Sequence, residues 1–327
     1  MKTPTEPQND YIIQAEHVTK KFTLDAGFFA KNDRFVYAVN DVSFGIERGK
    51  TYGLVGESGC GKTTTARMLV RMYKADGGAI WYTSTGSNAE NILLYNRTQL
   101  RSYREKIKYV FQDPSRSLNP RLTVFNILTA SYKYSSLWPG KKRAYEQAAH
   151  IMEEVGLDPS DLERRPSEFS GGQRQRISIA RALIMQPEVM FCDEVVSALD
   201  VSVQSQILNL LQDIREKRGI SFLFIAHDLR VSCYFCDTIG VMYRGMLVEE
   251  APAADLFKTA AHPYTKLLFA DSNGIGASAG GEVKTTLETL HGCPFAHRCP
   301  HATETCRSQI PAWKTISDSH KVRCVLE

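Results

Sequence analysis

The chain has 327 residues, 43% of them hydrophobic and 23% charged, which is the profile of a soluble globular protein with one large domain or two smaller ones. A net charge of +4 with no Lys/Arg run gives no footprint for nucleic acid. The first ten residues are polar, unlike a secretory signal, and no stretch approaches the ~20 consecutive apolar residues of a membrane helix.

Residues 11–18 and 36–46 read as strands around a polar segment, 25–34. Tyr52, Leu54 and Val55 form a further strand, which runs into Gly56-Glu57-Ser58-Gly59-Cys60-Gly61-Lys62-Thr63. Thr64 opens a helix predicted to reach Tyr73, with Ala66, Leu69, Val70 and Tyr73 on one face. Strand, Gly-rich turn and helix together are the context of a phosphate cradle, G-x-x-x-x-G-K-[ST]. Glycines let successive N–H groups converge on one anion, and the helix N-terminus adds partial positive charge. Lys62 suits the β/γ-phosphates of a nucleotide, and the Thr63 hydroxyl suits Mg²⁺. An ordinary Gly-rich turn is the competing reading.

Short strands are predicted at 80–82, 92–95 and 108–111, the last ended by Gln112-Asp113-Pro114. From 124 to 183 the pattern is helical, broken at Pro139-Gly140, Pro159 and Pro166. Within it, Ser170 reads as a helix cap, and Gly171 and Gly172 bare the helix's N-terminal N–H groups as a second anion site. The apolar run 189–192 is a buried strand that delivers Asp193 and Glu194 to its carboxyl end. Asp193 suits Mg²⁺, and Glu194 suits polarising a water that attacks the γ-phosphate. Neighbours on a strand face opposite ways, so the chain must turn at this point for both acids to serve one site. Val203, Ile207, Leu210, Leu211 and Ile214 recur at helical spacing, 222–226 is another buried strand, and 239–249 is a hairpin around Arg244-Gly245. Residues 273–281 have the composition of a linker.

Ser170 to Gln173, ahead of the acidic strand, resemble the signature motif of the ATP-binding subunits of ABC transporters, with Phe169 where Leu is usual. The resemblance implies a P-loop α/β core with an antiparallel β subdomain and a helical subdomain near 113–187. It implies that Gln112 touches Mg²⁺ and senses a membrane partner, that Asp200 in Ser197-Ala198-Leu199-Asp200 contacts a second ATPase subunit, and that His227 lies near the γ-phosphate. Phe22 matches the aromatic that stacks on adenine, with Phe35 and Tyr37 as rivals. Val195 departs from the family's Pro after the catalytic Glu and leaves both acids intact. The implied mechanism is dimeric: ATP and Mg²⁺ on residues 56–64 of one subunit are closed over by Ser170, Gly171, Gly172 and Gln173 of the other.

Cys293, Cys299, Cys306 and Cys324 crowd the C-terminus, with five, six and seventeen residues between them. Without a secretory signal, such a cluster favours a metal or cluster site over disulfides. Reduced thiols and zinc stay open, although the spacing lacks the tight pairs usual for zinc. The tail, with His262-Pro263-Tyr264-Thr265 before it, resembles the C-terminal extension of the dipeptide/oligopeptide branch of ABC importers, which implies a [4Fe–4S] cluster on the four cysteines. The Pro-rich lead-in common there is missing before Gly292. Cys233 and Cys236 read as buried helix residues rather than ligands.

The resulting expectation is a polar tail (1–9), an ATPase domain (10–257) and a Cys-containing extension (258–327). Its function would be ATP hydrolysis that powers import of a small solute, most readily di- or oligopeptides. The implied partners are a second ATPase subunit (a different chain or a second copy), two transmembrane permease subunits and, indirectly, an extracytoplasmic solute-binding protein. The implied location is the cytoplasmic face of the inner membrane. The rivals are a soluble ABC ATPase of translation or DNA repair, and a metal or redox sensor acting through the tail.

Overall fold

The computed structural model describes residues 10–24, 34–272 and 291–326. The readings of the tail 1–9, most of the segment 25–34, the linker 273–281 and most of the lead-in to Gly292 lie outside these residues. The chain forms two compact units, Met1–Tyr95 with Leu223–Glu327, and Asn96–Phe222.

In the first unit, β1 (Tyr11–Leu24), β2 (Arg34–Glu47), β4 (Gly77–Tyr82) and β5 (Glu90–Asn91) form an antiparallel sheet in the order β2-β1-β4-β5. Ile13 lies opposite both Ile46 and Tyr82, and all three are buried. A second sheet is built on β3 (Thr51–Val55), whose neighbours are β8 (Ser221–Ala226) and β9 (Thr238–Tyr243). Every residue of β3 and β8 is buried, as unbroken apolar runs require of strands covered on both faces. β9 turns through Arg244 and Gly245, both at positive φ, into antiparallel β10 (Met246–Pro252). Beyond β10 the C-terminal segment adds β12 (His320–Val322) and β11 (Lys314–Ser317) as edge strands.

In the second unit, β6 (Ile107–Val110) and β7 (Val189–Asp193) run parallel, from Ile107 opposite Val189 to Val110 opposite Cys192. The predicted breaks are present: Lys141–Glu154 starts after Gly140, and single turns begin at Pro159 and Pro166. Helix Lys141–Glu154 buries Ala144, Ala148, Ile151 and Met152, one stripe of a 3.6-residue period. Helix Val201–Arg218 buries Ile207, Leu210, Leu211 and Ile214 as expected, with Leu208.

Two expectations fail locally. Residues 92–95 are not a strand: Ile92–Leu94 is a single 3₁₀ turn, because the Asn91 side chain accepts from Leu93 N and gives the backbone a local alternative to the ladder. The helix after the Gly-rich loop ends at Leu69, and Arg71 takes a left-handed φ of 57°, so Tyr73 lies beyond it. Among the described residues, no helix is long and apolar enough to cross a membrane.

Candidate nucleotide site

Residues 56–64 connect the carboxyl end of β3 to helix Lys62–Leu69. Gly61 caps that helix at φ 111°, and a Cβ there would lie 2.2 Å from the Ala38 carbonyl oxygen. Only glycine meets both demands, so the pattern's second Gly is a steric requirement. Lys62 is buried, and its ammonium turns back across the loop, donating to the carbonyls of Gly56 at 2.6 Å and Glu57 at 2.9 Å. Cys60 is buried beside it, and burial raises its thiol pKa, so the thiol stays neutral and the loop's chemistry belongs to its N–H groups and Lys62. His227 is exposed and follows β8, just before Asp228 caps helix Leu229–Phe235. Phe22, on β1, is 37% exposed and touches Tyr73 edge-on. Phe35 is 42% exposed, so exposure does not separate the rivals.

In the second unit, β7 delivers the acids. Asp193 is buried, and its Oδ2 accepts from the Tyr109 hydroxyl at 2.5 Å. Glu194 has φ 48°, so the chain turns there, as the sequence required of two adjacent acids sharing a site. Its Oε2 accepts from Gln112 Nε2 at 2.7 Å, and Gln112 follows β6. The parallel pair β6–β7 thus gathers Gln112, Asp193 and Glu194 at one strand end. Tyr109 was missed by sequence reasoning. Its only signal was a tyrosine on the strand leading to Gln112.

Ser170 caps helix Gly171–Leu183 in a reciprocal box: Gln173 N donates to Ser170 Oγ at 3.3 Å, and Ser170 N donates to Gln173 Oε1 at 2.9 Å. A Cβ on Gly172 would lie 2.6 Å from Val203 Cγ1, so this glycine also permits close packing on the following helix. Phe169 is buried beneath the Arg164 guanidinium, 4.7 Å from its ring centroid. Asp200 is exposed at the start of helix Val201–Arg218, and its side chain makes no capping bond. Val195 is buried.

In the first unit, Cys293, Cys299, Cys306 and Cys324 line one cavity of about 10 Å³, together with His262, Phe295 and His301. Burial, with the neighbouring thiols adding to it, pushes Cys293 up to about 11, and burial also raises Cys324. The donor set suits a soft metal or cluster. Among the described residues, no three His, Cys, Asp or Glu side chains gather as a metal site. Cys233 is half-buried with its pKa raised to about 11 by burial, and Cys236 Sγ lies where a Cβ on Gly53 would meet it at 2.7 Å. Both behave as packing residues.

Residues 39–197 match the ABC transporter family model, and residues 248–306 match that of the oligopeptide/dipeptide transporter C-terminal region. The oligopeptide transport ATP-binding protein AppF of Bacillus subtilis is 39% identical over 333 residues, covering 98% of this chain and 99% of AppF. OppF, the oligopeptide transport ATP-binding protein of the same organism, is 44% identical over 258 residues, covering 79% of this chain and 81% of OppF. Among solved structures, cbiO1 of Clostridium perfringens, part of the ABC transporter complex cbiONQ, superposes with a TM-score of 0.64 at 23% identity, covering 77% of this chain and 92% of that one. That likeness concerns the fold: a P-loop ABC ATPase. The chain is an ATPase, and it belongs to the family of ATP-binding subunits of peptide-type ABC transporters.

Proposed function

We propose that the chain hydrolyses ATP to power uptake of di- or oligopeptides through a membrane transporter, acting as one of two ATPase subunits on two transmembrane permease subunits. A solute-binding protein outside the membrane delivers the peptide. The subunit lies peripherally on the cytoplasmic face of the inner membrane. Residues 10–257 form the ATPase domain, with a helical subdomain near 113–187, and residues 258–327 the extension. The observation that carries this reading is the turn at Glu194, which joins the second acid to Gln112 at 2.7 Å directly after Asp193. A carboxylate held in this way is oriented to polarise a water.

The N–H groups of residues 56–64 and Lys62 hold the phosphates, and Phe22 stacks on adenine. Thr63, Gln112 and Asp193 offer hydroxyl, amide and carboxylate oxygens, an all-oxygen set suited to Mg²⁺. When bound, Mg²⁺ offsets the charge of the phosphates. Glu194 positions the attacking water, while His227 and Lys62 stabilise the transferring phosphoryl group. Ser170, Gly171, Gly172, Gln173 and Asp200 close over ATP held by the other subunit and exclude water. The relatives AppF and OppF, named for oligopeptide transport, support the cargo class.

Co-expression with transmembrane permease subunits of a peptide transporter should yield a membrane complex that takes up labelled peptide only with hydrolysable ATP. ATP-dependent uptake of a different solute class, with peptides ignored, would overturn the cargo. For the extension, we propose a [4Fe–4S] cluster on Cys293, Cys299, Cys306 and Cys324, supported by their shared cavity. Anaerobically purified protein should then contain about four irons and absorb near 400 nm. Iron-free protein with full activity would remove the cluster as a requirement.

A further inference from the structure

Glu57, the second residue of the Gly-rich loop, is held by the C-terminal part of the chain at two points. Its N–H donates to the Tyr264 hydroxyl oxygen at 2.8 Å, from the start of helix Pro263–Ser272. Its carboxylate accepts from Arg298 Nη1 at 2.8 Å. Both anchors are themselves fixed. Tyr264 is fully buried, and its ring packs on Tyr243 at 4.5 Å and Phe295 at 5.4 Å between centroids. Arg298 reaches the Tyr243 hydroxyl at 3.5 Å, and its guanidinium lies 5.7 Å from the Phe295 ring centroid. The Glu57 and Arg298 side chains are only 21% and 18% exposed, so water screens the pair weakly.

The third polar group of Glu57, its carbonyl, accepts from the Lys62 ammonium at 2.9 Å. One residue therefore links the buried aromatic cluster of the C-terminal segment to the lysine of the loop. A shift of Glu57 moves the acceptor that sets where the ammonium rests, and re-aims the loop N–H groups that follow. Both side chains reach the loop through Glu57.

We propose that Arg298 and Tyr264 are positioning residues for the nucleotide loop, acting through Glu57 to set its affinity for ATP. The inference rests on the reading of residues 56–64 as the ATP cradle. The C-terminal segment is then a working part of the nucleotide site, and Arg298, lying between Phe295 and Cys299 of the four-thiol cavity, ties the two together. A loop shaped in this way binds ground and transition states alike, so its loss falls on affinity rather than on turnover at saturation.

The test uses the full chain and titrates a fluorescent ATP analogue with Mg²⁺. Arg298→Ala should weaken binding about tenfold, and Tyr264→Phe about fivefold, as expected for a charge-assisted and a neutral hydrogen bond. In a cycle of Glu57→Ala, Arg298→Ala and the double variant, the double should be no worse than the worse single. Arg298→Lys should recover part of the loss, and kcat at saturating ATP should stay within about twofold. Unchanged affinity in Arg298→Ala, or losses that simply add in the double, would overturn the proposal. Should Arg298→Ala melt early, Arg298→Lys and Tyr264→Phe decide the matter by the same readout. Lys62→Ala keeps the two levels apart. If it leaves analogue binding intact, the cradle reading itself fails; if it abolishes binding while Arg298→Ala leaves the affinity unchanged, only the positioning role fails.

Discussion

Two stretches of the first unit, the loop 56–64 and the cysteine segment 293–324, both carry a chemical reading in their sequence. In the loop, the pattern is the geometry. A glycine at φ 111° with a carbonyl oxygen 2.2 Å from any Cβ cannot be replaced, so adjacent residues dictate the shape. In the cysteine segment, the residues are far apart in sequence and meet only because β12 pairs with β10 and Cys293 N bonds Cys306 O at 2.7 Å. A local pattern that acts through backbone geometry can be read from spacing. A set of ligands brought together by tertiary pairing can be read only as a list of donors.

The largest expected effect breaks the loop. Gly61→Ala forces a left-handed backbone and a clash with Ala38, so ATP binding should fall roughly a hundredfold or more. The comparison Gly59→Ala, also at positive φ (78°) but with nothing within 4 Å of its Cβ, should cost far less. Equal losses at the two glycines would show that space around the Cβ does not decide the loop's shape.

A smaller effect sharpens the other side. His262 lies beside the cysteine cavity, its Nδ1 accepting from Tyr264 N at 3.1 Å, and burial lowers its pKa from 6.5 to about 4. As pH falls, the unfolded chain takes up this proton before the folded one. The stability is therefore complete above pH 6.5 and is lost between 6.5 and 4, by about 2 kcal/mol at pH 5. Thermal melts of metal-free protein should show this drop, and His262→Asn, which keeps an acceptor but does not titrate, should flatten it. Parallel pH profiles for the two proteins would mean that His262 does not couple the segment to pH.

Much of the local geometry of the candidate site was legible. Ser170 caps its helix, the chain turns at Glu194, and Gln112 stands at a strand end. Each follows from a local rule: capping chemistry, strand alternation, and the punctuation of Asp-Pro. The partners were hidden. Tyr109 bonds Asp193 across 84 residues, Arg298 bonds Glu57 across 241, and His320 bonds the fully buried Glu249 across 71. Spacing carries no information about such pairs. Glu249 left a faint trace, as one of two adjacent carboxylates in the strand Met246–Pro252. The 3₁₀ turn at Ile92–Leu94 was misread because one Asn side chain outweighs apolar composition over so short a run.

The role we propose for Glu194 is to activate the water that attacks ATP. The most direct measurement is single-turnover ATP hydrolysis by Glu194→Gln alongside ATP binding, in the full chain. The substitution keeps size and hydrogen bonding but removes the charge that polarises water. Hydrolysis should fall roughly a thousandfold while affinity stays within a few-fold. Hydrolysis at the native rate with binding intact would contradict the assignment.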